Sequence, residues 1–297
     1  MKYHKIKQKS LELICHGIVI LLLFIIIYLL GYLFYRGYGA LNSSLFIGDL
    51  TWKEVIIDKM PVWDGIWPAM MGTLSLVILT MLIAAIPGIG CGLFLACYAS
   101  PTFKKNILTI INVLAGIPSI VMGLFGFLII LLMRQWISPD ANTNLILSAC
   151  CLAILVLPVI IISTQEAIEN IPNAIRVALV SLGLSQHQII RSFYLSLASR
   201  SILSGIILAI GRAAEDTAVI MLTGVVANSG LPATVFDKFE ALPFHIYIVS
   251  AEYQSQLELS QGFGAAIVLL LLSVFLFVLA SLIEWWYRSY WQSAKHV

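Results

Sequence analysis

Charge is the first thing this sequence is short of. Of its 297 residues only 11% are charged, while 60% are apolar. A water-soluble domain carries about 25% charged residues, so a surface lying mostly in water is excluded. Metal-ligand spacing is missing too: Cys15, Cys91, Cys97, Cys150 and Cys151 form no Cys-x-x-Cys pair and lie in or beside apolar runs. They read as small packing residues, not as a disulfide or zinc framework, and no His/Glu/Cys constellation points to another metal. There is no Gly-x-x-x-x-Gly-Lys-Ser/Thr loop, so the chain does not hydrolyse ATP by that route, and no Gly-x-Ser-x-Gly elbow. His187 and His245 each stand alone and read as ordinary polar residues. With 17 basic and 15 acidic residues and no long basic stripe, nucleic acid is not an expected partner, and no cofactor is expected.

What the chain has instead is long apolar runs, near 14–35, 69–98, 107–133, 145–165, 201–226 and 263–286. Each approaches or exceeds the ~20 residues that cross a bilayer as a helix. The expected fold is therefore all-α: a polytopic membrane bundle of about six transmembrane helices, with lipid as a partner. Lys2, Lys5, Lys7 and Lys9 before the first run imitate a secretory signal. The run from Ile14 to Tyr35 is too long for a signal core and no small-x-small cleavage pattern follows, so it reads as a retained span.

Orientation follows from the basic residues of the connections. With the N-terminus inside, eleven (Lys2, Lys5, Lys7, Lys9, Lys104, Lys105, Arg176, Arg191, Arg200, Arg288, Lys295) lie in cytoplasmic segments, and five (Arg36, Lys53, Lys59, Arg134, Lys238) lie outside. Both termini are expected in the cytoplasm. Aromatic clusters at Tyr28–Tyr38 and Trp285–Trp291 read as interfacial anchors. The expected organisation is a cytoplasmic N-terminus at 1–13 and a first span with an outer loop at 14–68. A transmembrane domain at 69–286 follows, enclosing a cytoplasmic loop at 166–200, and then a tail at 287–297.

Inside the spans, Gly88, Gly92, Gly116, Gly123 and Gly126 have the spacing of close helix packing, while Pro87 and Pro118 should bend or interrupt their helices. The outer segments 36–68 and 227–262 are too long for simple turns. They suit either a docking surface for an external partner or loops packed over the bundle.

The 166–200 loop specifies helix, break, helix. Pro172 suits a first turn, Gly183 a left-handed termination, and Ser185 with Gln188 a capping box flanked by a staple of Leu184 and Ile189. The first of these helices is apolar at Ala174, Ile175, Val177, Ala178, Leu179 and Leu182. That surface must be buried, either in a groove of a soluble partner or against the ends of its own spans.

The fifth run contains Arg212-Ala213-Ala214-Glu215-Asp216-Thr217. A charge at membrane depth costs at least ~2.5–3.5 kcal/mol, so these groups should face the bundle interior or an aqueous cavity. On one continuous helix Glu215 and Asp216 would flank the Arg212 guanidinium at i+3 and i+4. The cluster reads as a polar lining of a substrate path in which Arg212 attracts an anion, or as an ion pair locking this span to a neighbour.

From about Asp64 onward the chain resembles the permease subunits of bacterial phosphate-specific ABC importers, of the PstA type. The stretches that carry the resemblance are Gly65–Leu74, Leu114–Gly126 with its Gly-Ile-Pro-Ser-Ile-Val-Met-Gly-Leu-Phe-Gly run, the loop Ile171–Ala198 and the span Leu208–Thr217. It implies the type I ABC permease fold and a complex of two permeases (the second PstC-like), a PstB-like pair of ATP-binding subunits and an external PstS-like phosphate-binding protein. It implies no enzymatic activity in this chain, which would form half of a phosphate path in the bacterial inner membrane. Arg212, Glu215, Asp216 and Thr217 would line that path, and Arg176, Val177, Ala178, Leu179, Gly183 and Ser185 would couple to the ATPase. Two departures stand out: Val177-Ala178-Leu179 replaces the family's Glu-Ala-Ala, and an extra acid stands in the family's Arg-x-x-Gly-Glu-Thr pattern. The extra negative charge opposes anion entry unless it is protonated or paired. The same machine carrying another solute is an alternative; a proton-driven secondary transporter is opposed by the coupling-like loop and the lack of an inverted repeat.

Overall fold

A computed structural model describes residues 2–56, Val62 and 65–293, with the side chains of 2–10, 52, 284 and 286–293 outside the description. The N-terminal lysines, Asp58, Lys59, Trp63, Asp64, Lys295 and most of the Trp285–Trp291 cluster thus lie outside it in whole or in side chain. The helices in chain order are α1 (Lys2–Gly37), α2 (Ser43–Ile47), α3 (Trp52–Ile56), α4 (Trp67–Cys97), α5 (Pro101–Ala115), α6 (Ser119–Trp136) and α7 (Leu145–Glu169). After these come α8 (Asn173–Ser181), α9 (Gln186–Ile189), α10 (Leu195–Glu215), α11 (Thr217–Thr223), α12 (Leu242–Glu252) and α13 (Gln256–Ser293). Six of the helical stretches are long and apolar enough to cross a membrane, namely α1, α4, α6, α7, the α9–α10 stretch and α13.

Two expected spans are corrected. The 107–133 run is two helices, because Pro118 has no N–H to continue the ladder and Gly116 closes α5 by donating to the Asn112 carbonyl at 3.2 Å. The 201–226 run breaks at Asp216, whose backbone is extended and whose carboxylate accepts from the Val219 N–H at 2.9 Å, capping α11. Pro87 and Pro158, by contrast, lie inside continuous helices held by packing on their neighbours.

α7 is the centre of the bundle, packed between α4 and α10. Its start is fixed by Asn144, whose side chain accepts from the Leu147 N–H at 2.8 Å. The α4–α7 contact needs glycine: a Cβ on Gly92 would stand 2.6 Å from the Thr164 Cβ. The core here joins Leu76, Ala84, Leu152, Val156, Ile160, Ala209 and Ala213. α13 closes the bundle against α10 and α12. α1 rests mainly on α13, where Tyr32 meets Phe263 edge-on at 5.8 Å, and is otherwise exposed as a lipid-facing helix must be.

The 227–262 segment packs over the bundle. Val226 donates to Phe239 at 3.0 Å, Leu145 at the start of α7 donates to the Asp237 carbonyl at 3.0 Å, and Leu242 donates to the Thr73 hydroxyl at 2.9 Å. The 36–68 segment likewise buries Leu45, Ile47, Val55, Val62 and Ile66.

Candidate functional site

At one end of the bundle α7 ends at Asn170 and the chain turns into α8, with Pro172 at its N-cap. Gly183 follows with φ +72°, a left-handed conformation in which glycine carries no Cβ penalty. Ser185 and Gln188 then form the expected capping box, and Leu184 and Ile189 join one apolar cluster with Ile168, Ile171 and Tyr194. Of the apolar surface of α8, only Leu179 packs back onto the bundle. Val177, Val180 and Leu182 are 65%, 64% and 73% exposed, so an apolar face is left uncovered by this chain.

Arg176 points the other way. Its Nε donates to the Ile171 carbonyl at 3.2 Å, its Nη2 donates to the Ile168 carbonyl, and its guanidinium lies 5.3 Å from the centre of the Tyr194 ring. The Ile168 carbonyl, in the last turn of α7, also accepts from the Ile171 N–H at 3.2 Å, and the Ile171 carbonyl lies in the turn just past the helix, at the negative end of its dipole. Between α9 and α10 the chain makes a π turn, Ile190–Tyr194, and Gln186 reaches the Cys97 carbonyl at the end of α4 at 2.6 Å. Beside them Lys104 pairs with Glu169, which also accepts from Gln165 at 2.5 Å. No periodicity in the sequence marked the π turn or these long-range bonds, since they depend on how three helix ends meet.

The 212–217 cluster closes α10 and opens α11. Ser201, Ser204, Leu208, Arg212 and Glu215 fall within a sector of about 80° at about 100° per residue, so they form one stripe. Ser201, Ser204, Leu208 and Glu215 are exposed and Arg212 is half-buried, while Ala209, Ala213 and Ala214 on the other face enter the core. The expected flanking of Arg212 by both acids is not formed: Asp216 leaves the helix to cap α11. Among the described residues the side chains of Arg212, Glu215 and Thr217 make no hydrogen bond or ion pair. Asp216 is therefore a capping residue here, and Glu215 is the unengaged acid. Arg212 and Glu215 in this stripe do not belong against lipid, so they need protein or water in front of them.

At the far end two adjoining cavities of about 220 and 310 Å³ flank α12 and share His245, Ile248, Val249 and Glu252. Glu240 lines the larger, 8% exposed, and accepts from the Gly230 N–H at 3.0 Å. Burial pushes its carboxyl up and the His245 imidazole down from their ordinary values. No group of three His, Cys, Asp or Glu among the described residues is placed to hold a metal.

The family described as "Binding-protein-dependent transport system inner membrane component" matches residues 88–289. The probable ABC transporter permease protein YqgI of Bacillus subtilis is 29% identical over 272 residues, covering 86% of this chain and 87% of that protein. The phosphate transport system permease protein PstA of Mycobacterium leprae is 28% identical over 254 residues, covering 83% and 78%. Among solved structures, a bacterial alginate ABC transporter in complex with an alginate-bound periplasmic protein shares the fold at a TM-score of 0.59 and 16% identity, covering 91% of this chain and 94% of that one. The MetNI methionine ABC transporter does so at 0.54 and 16%, covering 74% and 94%. With six spans, and a match that runs from the middle of α4 through α13, this chain is a multi-pass membrane protein that belongs to the family of binding-protein-dependent transport system inner membrane components.

Proposed function

We propose that this chain is one permease subunit of an ATP-driven importer and forms half of the translocation path for inorganic phosphate. The observation that carries the reading is the α10 stripe, which holds an Arg212 with no partner among the described residues. A permanently charged, planar donor kept at membrane depth suits brief bidentate contact with an oxyanion. A second, PstC-like permease would face the stripe and enclose the path. The exposed Val177, Val180 and Leu182 would enter a groove on a PstB-like ATP-binding subunit, and α8 and both termini would then lie in the cytoplasm. A PstS-like protein would deliver phosphate at the opposite end. The relatives named as phosphate permeases support this solute.

Glu215 favours a second reading, the same architecture with a different solute, because a free carboxylate beside Arg212 opposes a dianion. Labelled phosphate uptake decides between them, in cells without a high-affinity importer that express this chain with its neighbouring subunits. Uptake that survives excess sulfate and is lost in Arg212→Gln, at matched membrane level, supports phosphate and the site. An assembled complex that hydrolyses ATP but takes up no phosphate removes phosphate as the solute.

A further inference from the structure

We propose that Arg176 is a positioning residue of the coupling machinery, fastening α8 to the end of α7 and to the π turn that begins α10 so that these elements move as one unit. The inference rests on the reading of α8 as the ATPase-docking helix. α8 has little else to hold it: Leu179 is its only buried side chain, and the Gly183 turn that follows has open space around its Cα. Arg176 supplies the missing attachment through the Ile168 carbonyl in the last turn of α7, the Ile171 carbonyl in the turn that follows, and the face of Tyr194, itself 7% exposed. A fork of donors can hold both carbonyls while its plane lies on the ring, whereas a lysine offers only a point charge.

Tyr194 is the last residue of the π turn. A π turn inserts one residue into a helical turn, which rotates everything beyond it by about 100° relative to an unbroken α-helix. The turn under Arg176 therefore sets where the α10 stripe, with Arg212 and Glu215, points. Gln186 adds a tie to α4 at the Cys97 carbonyl. A displacement of α8 imposed by a docked subunit would then reach α7, α4 and the substrate stripe together, with no slack at the junction.

The test uses the full complex in proteoliposomes. In a cysteine-free background, spin labels at the exposed Ala174 on α8 and Leu197 on α10 should give one narrow distance that ATP leaves unchanged. Arg176→Met should broaden it and raise the ATP hydrolysed per phosphate imported by at least about fivefold, the lower end of ordinary coupling energies. ATPase subunits should remain bound. Arg176→Lys should recover part of the loss, Tyr194→Phe should match the wild type, and Tyr194→Ala should reproduce Arg176→Met. A wild-type distance that shifts with ATP, or an Arg176→Met complex as narrow and as well coupled as the wild type, overturns the proposal. So does loss of the ATPase subunits in Arg176→Met while Tyr194→Ala behaves normally, since Arg176 would then contact those subunits directly. If the wild-type complex imports no phosphate, the solute is wrong and the distance measurement still decides the role of Arg176.

Discussion

Arg176 and Arg212 are the same residue type at opposite ends of one structural path, and the fold treats them in opposite ways. Arg176, outside the apolar spans, is bound to two carbonyls and a ring. Arg212, in the last turn of a helix long and apolar enough to cross a membrane, has no partner among the described residues. Their surroundings differ as well: α8 exposes Val177 and Val180, while the exposed stripe of α10 sets Ser201, Ser204 and Glu215 beside Leu208. Under the proposed function, the open Arg212 would await the solute and the apolar face of α8 would await the ATP-binding subunit.

The sharpest way to break this contrast is to remove the open charge. Arg212→Gln should lower phosphate uptake by at least about thirtyfold, the scale of truncating one side of a buried charged contact, with assembly intact. Arg212→Lys should restore only part of the uptake, because the fork is lost; full restoration would mean that charge alone matters. Next in size, Val177→Asp with Val180→Asp should weaken retention of the ATPase subunits by about tenfold or more, read by co-purification, because two charges would have to be buried in an apolar contact. Unchanged retention would mean that α8 docks through another face.

Smaller effects concern the frame that holds both sites. Gly92→Val should destabilise the detergent-solubilised protein by about 1–3 kcal/mol, as overpacking does, since Thr164 stands where the new Cβ would go. Smallest is a pH effect at the far end. Burial raises the Glu240 carboxyl above its unfolded value, so the folded state favours the protonated form and loses that advantage as pH rises through the raised value. Glu240→Gln should therefore gain thermal stability over the wild type at pH 7 and little at acid pH. The variant-minus-wild-type difference is the measure, because His245 in the same cavity shifts the opposite way in both proteins.

Much of this was legible residue by residue. The Ser185–Gln188 capping box and the Gly183 turn are local chemistry, and both form as their spacing requires. Gly88 and Gly92 announced the α4–α7 contact, since only small residues allow helices so close. Other features were not legible. Asp216 looked like a helical neighbour of Arg212, but capping α11 suits a short carboxylate better than an ion pair. The carbonyl partners of Arg176 were not legible either, because sequence spacing records nothing about which carbonyls a side chain reaches at a helix end.

The sequence by itself therefore determined the class of the molecule: long apolar runs with little charge can satisfy their backbones in lipid only as helices. It also determined the local turns, whose hydrogen bonds close within a few residues. Which polar groups are engaged and which are left open was decided by the tertiary structure alone. That choice depends on three helix ends meeting at Arg176, and on which face of α10 the packing of α7 leaves uncovered.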